Sequence, residues 1–136
     1  MSQHLLVLPV LLPMFTALII LLSGQTPSNL QRQISVISTA VLVILSVLLV
    51  SQASSGQINA YALGNWQAPF GIILVLDRFS ALMVLLTSVL ALGCVLFACA
   101  GDDARGSNFH AIFQFQLMGL NGAFLTGDMF NLFVFF

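Results

Sequence analysis

The chain has 136 residues, of which 60% are hydrophobic and 5% are charged, with a formal net charge of −1. An average soluble domain carries about 25% charged residues, and a soluble fold of this size could not hide so much apolar surface. The composition therefore predicts a membrane protein. No basic cluster exists that could hold phosphates, which excludes a nucleic-acid-binding function.

The first apolar run, Leu5–Leu22, corresponds to about 27 Å of helix, close to the thickness of the hydrocarbon layer. Pro9 and Pro13 interrupt it, and no Lys or Arg precedes it, which argues against the alternative of a cleaved signal peptide. We expect a retained, kinked helix whose freed carbonyl groups bond to neighbouring helices.

A polar link, residues 23–33, leads to the second predicted span, Ile34–Val50. Hydroxyl side chains occur along this span, and such groups bond either to backbone carbonyls or to another helix. They are Ser35, Ser38, Thr39 and Ser46.

Residues 51–78 are too long for a simple turn. Gly64-Asn65 is a turn signal between two β-capable pieces, Ile58–Leu63 and Phe70–Leu76, and Tyr61 and Trp66 suit a membrane interface. We expect a small extramembrane β-hairpin that lies on the membrane face.

Asp77 and Arg78 mark the following water boundary, either as a neutralised pair at the start of a helix or as part of an ion path. The third predicted span is Phe79–Ala100, and a short polar turn separates it from the fourth, Phe109–Thr126. Cys94 and Cys99 face different directions on a helix and have no His at metal-ligand spacing, so we predict neither a disulfide nor a metal site.

The fourth span carries three amide side chains, Gln114, Gln116 and Asn121. Gln114 and Asn121 are seven residues apart and share a helix face, where they either join helices or line a hydrated path that passes protons. A small-residue patch nearby lets another helix approach closely; it consists of Gly119, Gly122 and Ala123. His110 lies at the water end, as an interfacial residue or, alternatively, a relay.

Thr126, Gly127 and Asp128 are typical of one helix ending and the next beginning, with Asp128 as the N-cap. Asn131 could return a bond to this cap, and the fourth and fifth helices should form a tight antiparallel hairpin. Alternatively, Asp128 belongs to an ion entrance. A residue after Phe136 would lie about 13 Å into the bilayer, where an ionisable group is functional by default.

Arginine alone indicates orientation, because the chain has no Lys. Arg32 and Arg105 lie in the first and third loops, on one side of the membrane, and Arg78 lies on the other. The positive-inside rule then predicts that the amino terminus lies outside.

Two stretches carry a family resemblance: "YALGNWQAPFGIILVLDRFSALMVLLTSVLAL" and "FHAIFQFQLMGLNGAFLTGDMFNLFVFF". The chain resembles the D subunit of the multisubunit Mrp-type cation/proton antiporters of bacteria, a family related to the antiporter-like subunits of respiratory complex I. The resemblance implies a location in the bacterial inner membrane. The resemblance implies about fourteen helices in the full protein, with two inverted five-helix repeats. By this reading, residues 1–108 form peripheral helices and residues 109–136 begin the first repeat, as an amino-terminal fragment.

In the family, a glutamate directly follows the stretch "FNLFVFF" and works with a lysine on a later helix. Neither position exists in this sequence, so no catalytic residue is carried over, and we expect the isolated chain to be inactive and poorly stable. The candidates for a proton path are Gln114, Asn121, Asp128 and Asn131.

The fold class expected is all-α, with four complete transmembrane helices, a truncated fifth and the hairpin. The expected partners are H⁺, Na⁺ or K⁺, lipid and other antiporter subunits, with no cofactor, metal or nucleic acid. The alternative function is a proton-pumping subunit of NADH:quinone oxidoreductase or of a membrane-bound hydrogenase.

Overall fold

A computed structural model describes residues 5–24, 29–54, 59–62 and 71–135. The described residues form five α-helices and two short strands. The helices are α1 Leu8–Leu22, α2 Asn29–Ala53, α3 Arg78–Ala98, α4 Phe109–Leu125 and α5 Met129–Phe135, and the strands are β1 Asn59–Ala62 and β2 Ile73–Leu76. A 3₁₀ turn, Asp102–Arg105, lies between α3 and α4.

Among the described residues, only α2 and α3, with 25 and 21 residues, are both long and apolar enough to cross a bilayer unaided. The helix α1 has 15 residues, because its first turn already contains Pro9 and cannot extend back to Leu5. The helix α4 has 17 residues. Helix length thus identifies two of the four predicted spans.

The outer surface of the bundle is apolar, whereas part of its interior is polar. Buried positions of α2 are largely hydroxyl and amide side chains, whereas Ile37 and Ile44 on the same helix are each 62% exposed. On α3, Ser88 is buried and Phe97 is 73% exposed. Such an exposed apolar surface is unfavourable in water but stable in the hydrocarbon layer of a membrane. The fold is therefore that of a membrane protein.

Hydroxyl pairs join adjacent helices in the interior. The Oγ1 of Thr16 on α1 lies 2.8 Å from the Oγ of Ser38 on α2, and the Oγ of Ser46 on α2 lies 2.8 Å from the Oγ of Ser88 on α3. The side chain of Thr39 bonds back to the carbonyl of Ser35. Both uses predicted for the hydroxyls of the second span are therefore confirmed.

The helix α2 begins at Asn29, five residues before the predicted start. The polar residues there form a helical turn because their side chains find partners: the amide of Gln31 donates to the Ser23 hydroxyl and to the Gly24 carbonyl. The link between the first two helices is therefore shorter than the predicted residues 23–33, because part of this polar segment is helical.

The predicted hairpin exists, with β1 and β2 antiparallel and Tyr61 opposite Leu74. Its turn signal Gly64-Asn65 and Trp66 lie outside the described residues. The hairpin does not simply lie on the membrane face, because Leu74 and Leu76 are 1% and 0% exposed. They insert into the main core cluster with residues of all four longer helices: Val10, Leu49, Ala81 and Leu125 among others.

The turn between α4 and α5 packs onto the free edge of β2. The Gly127 N–H donates to the Ile73 carbonyl (2.8 Å), and Thr126 forms a bridge with Leu74. A Cβ on Gly127 would lie 2.4 Å from Cγ2 of Val75. Glycine is required here by the close approach of the strand. The helix α4 itself ends through the extended backbone of Thr126 rather than through a left-handed glycine.

The helix α5 returns along α4, as predicted from the turn at residues 126–128, and it packs on the small-residue patch. A Cβ on Gly119 would lie 2.9 Å from the Phe135 carbonyl oxygen, and one on Gly122 would lie 2.3 Å from the Phe135 ring. The absence of side chains at these two positions permits the contact.

Asp77 and Arg78 do not form the neutralised pair that their adjacency suggested. Asp77 caps α3 by accepting a hydrogen bond from the Ser80 N–H (2.8 Å), which lowers the pKa of its carboxyl group, while Arg78 donates to the Ser54 carbonyl (3.2 Å). Each residue has its own partner because the extended backbone at Asp77 turns its side chain towards the start of the helix.

Gly127→Ala should lower the stability of the folded protein by about 1–3 kcal/mol, because the added methyl group overlaps Val75 on β2. Thermal unfolding of the detergent-solubilised protein measures the change. Gly93→Ala is the matched control, since a Cβ there meets nothing within 4 Å. Equal unfolding temperatures for the two variants would contradict the close packing of the turn on β2.

Candidate functional site

One face of α4 carries a buried polar stripe. His110, Gln114, Leu117 and Asn121 follow one another at helical spacing, and their exposed fractions are 1%, 0%, 3% and 0%. With a rise of 1.5 Å per residue, the stripe extends about 16 Å from the start of the helix towards its end. Only Leu117 interrupts its polar character.

Gln114 is held by α2. Its Nε2 donates to the Ser35 carbonyl (3.2 Å), the Ser35 hydroxyl (3.1 Å) and the Thr39 hydroxyl (3.2 Å). Its Oε1 has no partner among the described residues. The amide therefore joins α4 to α2 through one end and leaves an acceptor available at the other.

Asn121 is held by α1, at the position where a proline disrupts that helix. Pro13 has no N–H and cannot donate to the Pro9 carbonyl four residues earlier. The Asn121 Nδ2 donates to this carbonyl instead (2.9 Å). The sequence predicted that a neighbouring helix would bond to a carbonyl freed by proline. Asn121 of α4, one of the predicted site residues, forms this bond.

A charged cluster lies at the amino-terminal end of the stripe. Asp103, in the 3₁₀ turn, is fully buried and accepts two hydrogen bonds from Arg32 of α2, from Nε (2.5 Å) and from Nη2 (2.8 Å). The His110 Nε2 lies 3.0 Å from Asp103 Oδ2. The Arg32 guanidinium, and to a lesser extent His110, holds the pKa of the Asp103 carboxyl group below its usual range.

The cluster has two features that the sequence did not indicate. The 3₁₀ geometry of the polar turn directs Asp103 inward, and His110, at the start of α4 as predicted, is buried beside it. Sequence reasoning missed the contact because Arg32 and Asp103 are 71 residues apart. The one available signal was the predicted placement of the first and third loops on the same side.

A thiol completes the surroundings of this cluster. The ligand atoms of Cys99, Asp103 and His110 all lie within 4.8 Å of one another. Linear spacing did not reveal this grouping. Arg32 already occupies both carboxylate oxygens of Asp103, so the arrangement is that of an ion pair with a histidine rather than an open metal site.

The remaining predicted residues are at the far end of the stripe and on α5. Asp128 Oδ1 accepts a hydrogen bond from the Phe130 N–H (3.3 Å) at the start of α5. Asn131 is buried, and its Nδ2 has no partner among the described residues. Gln116 is exposed and belongs to a different face of α4.

Unpartnered polar atoms concentrate along the stripe. In the described part of the chain, five buried side-chain atoms have no hydrogen-bond partner, namely Asn108 Oδ1, His110 Nδ1, Gln114 Oε1, Asn121 Oδ1 and Asn131 Nδ2. Each such group costs about 1–3 kcal/mol unless water or another chain satisfies it. The arrangement favours a line of polar groups that bind water inside the bundle.

Asn121→Leu should destabilise the protein by about 1–3 kcal/mol, because it leaves the Pro9 carbonyl unpaired in an apolar interior. In a Pro13→Ala background, a new backbone N–H can pair with that carbonyl, so the cost should fall by about 1 kcal/mol. Thermal unfolding of the four proteins in this double-mutant cycle measures the coupling. Additive effects would show that Asn121 does not replace the missing backbone donor.

Asp103→Asn should destabilise the protein near neutral pH, with a difference that shrinks in acid. The pKa of Asp103 is lowered on folding, so its contribution to stability is complete above the ordinary value of 3.8 and is lost as pH falls below it. Unfolding temperatures between about pH 7 and about pH 3 measure this dependence. Asp102→Asn is the control, because Asp102 forms an exposed pair with Arg105. A difference that stayed constant into acid would contradict the assigned ion pair.

The amino-acid sequence is similar to those of known membrane antiporter subunits. No protein-family model matches the chain. It is 49% identical, over 98% of its length, to the D subunit of a probable K⁺/H⁺ antiporter of Rhizobium meliloti, and 41% identical, also over 98%, to the D subunit of a Na⁺/H⁺ antiporter of Alkalihalophilus pseudofirmus. The chain spans 26% and 27% of the length of these curated relatives.

Solved structures agree with these relatives. The chain superimposes on a chain of the Mrp complex from Dietzia sp. DQ12-45-1b with a TM-score of 0.89 and a sequence identity of 32%. The superposition covers 99% of the present chain and 25% of the Dietzia chain. It also superimposes on a chain of the membrane-bound sulfane sulfur reductase, an archaeal respiratory membrane complex, with a TM-score of 0.84 and a sequence identity of 29%. This superposition covers 96% of the present chain and 27% of the reductase chain. Over nearly its whole length, therefore, the chain is homologous to the D subunit of the Mrp Na⁺/H⁺ and K⁺/H⁺ antiporters.

Proposed function

We propose that this chain is part of the membrane-embedded D subunit of a multisubunit cation/proton antiporter and takes part in moving protons in exchange for Na⁺ or K⁺. The observation that carries this proposal is the 49% identity to a K⁺/H⁺ antiporter subunit over 98% of the chain. The apolar outer surface of the bundle and its buried amides are what such a function needs, because protons cross hydrocarbon only along polar groups and water.

The proposed topology has α1 to α4 as complete crossings and α5 as the start of a fifth. The amino terminus is outside, which places Arg32 and Arg105 in the cytoplasm of a bacterium. Residues 1–108 form the peripheral helices, and residues 109–136 begin a proton-translocating repeat. Other antiporter subunits are the proposed partners, because the relatives are subunits of multisubunit complexes.

The proposed proton path comprises Gln114, Asn121, Asp128 and Asn131. Three of these residues are buried amides, each with a polar atom that has no partner in the described part of the chain, a property that suits water binding rather than only helix joining. Asp128 stands at the start of α5, next to the turn that packs on β2, and its carboxylate would attract cations to that end.

A second candidate function is supported by one comparison. The superposition on a chain of the sulfane sulfur reductase complex shows that the same fold occurs in a respiratory assembly. In that case the chain would belong to an antiporter-like subunit whose proton movement depends on redox reactions in other subunits.

The decisive experiment uses everted membrane vesicles that contain the assembled complex carrying this chain, with an imposed pH gradient and no electron donor. Addition of Na⁺ or K⁺ should dissipate the gradient, which a pH-sensitive dye reports. Cation-dependent proton movement without redox turnover supports the antiporter. Proton movement only during electron transfer would instead support the respiratory assembly.

Within this assay, Asn131→Leu should lower the antiport rate at least about tenfold, equivalent to about 1.4 kcal/mol on the barrier. The substitution removes no hydrogen bond between described residues, because the Asn131 Nδ2 has no partner, so an effect on rate reports on the path. Gln116→Leu, on the exposed side of α4, is the matched control and should retain the parental rate. Equal rates for both variants would remove Asn131 from the path.

A further inference from the structure

We infer that the pair of His110 and Asp103, held in place by Arg32, is a proton-exchange site that connects the solution at one end of the bundle to the buried polar stripe of α4. This inference rests on the proposed antiport function. It adds an ionisable group at the start of the proposed path, whose other members are three amides and the distant Asp128.

The first observation is the position of the pair. His110 is the first member of the stripe, four residues before Gln114, and it is the side chain type whose charge commonly changes near neutral pH. An amide can position water but cannot take up a proton in this range. A stripe of amides therefore needs an ionisable group at its end, and α4 provides one.

The second observation is that the two ring nitrogens have different surroundings. Nε2 lies 3.0 Å from Asp103 Oδ2, in the turn that leads to solution. Nδ1 is buried and has no partner among the described residues, like the Gln114 Oε1 one helical turn further along. Uptake of a proton at one nitrogen makes the ring an imidazolium, and loss of the proton from the other nitrogen returns the ring to its neutral form.

The third observation is the balance of charges around the ring. Arg32 from α2 faces Asp103 from the turn, and Cys99 at the end of α3 lies within 4.8 Å of both Asp103 and His110. The neighbouring Asp102 and Arg105 pair with each other at the surface. Arg32 offsets the negative charge of Asp103, and the carboxylate orients the imidazole through its contact with Nε2.

A purely structural ion pair would explain Arg32 and Asp103, but it would not explain a buried histidine whose Nδ1 has no partner among the described residues. An apolar side chain at position 110 would leave no such unsatisfied nitrogen, which is unfavourable in a buried site. The combination of a carboxylate partner on one nitrogen and an unpartnered nitrogen on the other is what proton exchange requires.

The test uses the vesicle assay with the assembled complex at a series of pH values. His110→Gln, which keeps the size of the side chain and its capacity for hydrogen bonding, should lower the antiport rate at least tenfold and flatten its dependence on pH. Gln114→Met should lower the rate while leaving the shape of the pH profile unchanged, because no titratable group is lost. Asp102→Asn is the control and should match the parent in rate and profile.

Three outcomes overturn the inference. They are a parental rate for His110→Gln, a lower rate with the parental pH profile, and an equal effect of Asp102→Asn. Absence of antiport in the parent complex would instead reject the proposed function itself, which keeps the two failures distinct. These comparisons apply to variants whose complexes assemble to parental levels.

A second measurement covers the case in which His110→Gln fails to assemble. A density map of the parent complex that resolves ordered water should show water within hydrogen-bonding distance of His110 Nδ1 and of Gln114 Oε1. Such waters would support the inference. The inference would be overturned by a map that resolves water elsewhere at the same depth in the membrane but shows apolar side chains in contact with His110 Nδ1 and Gln114 Oε1.

Discussion

The structure depends on one constraint, which is that hydrocarbon offers no hydrogen bonds to a polar group. Polar side chains inside the bundle therefore bond to other helices, and these partners determine how the helices pack. The Ser46–Ser88 pair joins α2 to α3, Gln114 joins α4 to α2, and Asn121 joins α4 to α1. Because the outer surface is apolar and nonspecific, these few bonds give the bundle its register.

The same constraint separates what the sequence could predict from what it could not. Apolar runs and turn signals predicted the helices and the hairpin because these are local features. The burial of Gln114 and Asn121 on one face followed from their spacing of seven residues. The insertion of Leu74 and Leu76 into the core could not be predicted, because a strand of apolar residues reads the same on a membrane surface as between helices.

The candidate site shows the same division. The amides of α4 were recognisable, and a carboxylate at Asp128 was a plausible cap because caps are local. The group of Arg32, Asp103 and His110 was not recognisable, because a charged loop and a histidine at a helix start both read as solvated. Their burial arises from a 3₁₀ turn that directs one of two adjacent aspartates inward and leaves the other exposed, and no residue pattern distinguishes the two.

The bond between Asn121 and Pro9 also has a consequence for biogenesis. The two residues are 112 positions apart, so α1 enters the membrane with the Pro9 carbonyl unsatisfied long before α4 has been synthesised. Until then, water or the insertion machinery must shield that group, and α1 cannot settle into its final position. The last of the four longer helices to emerge from the ribosome is thus the one that satisfies this group on the first, so this contact between α1 and α4 forms only late in assembly.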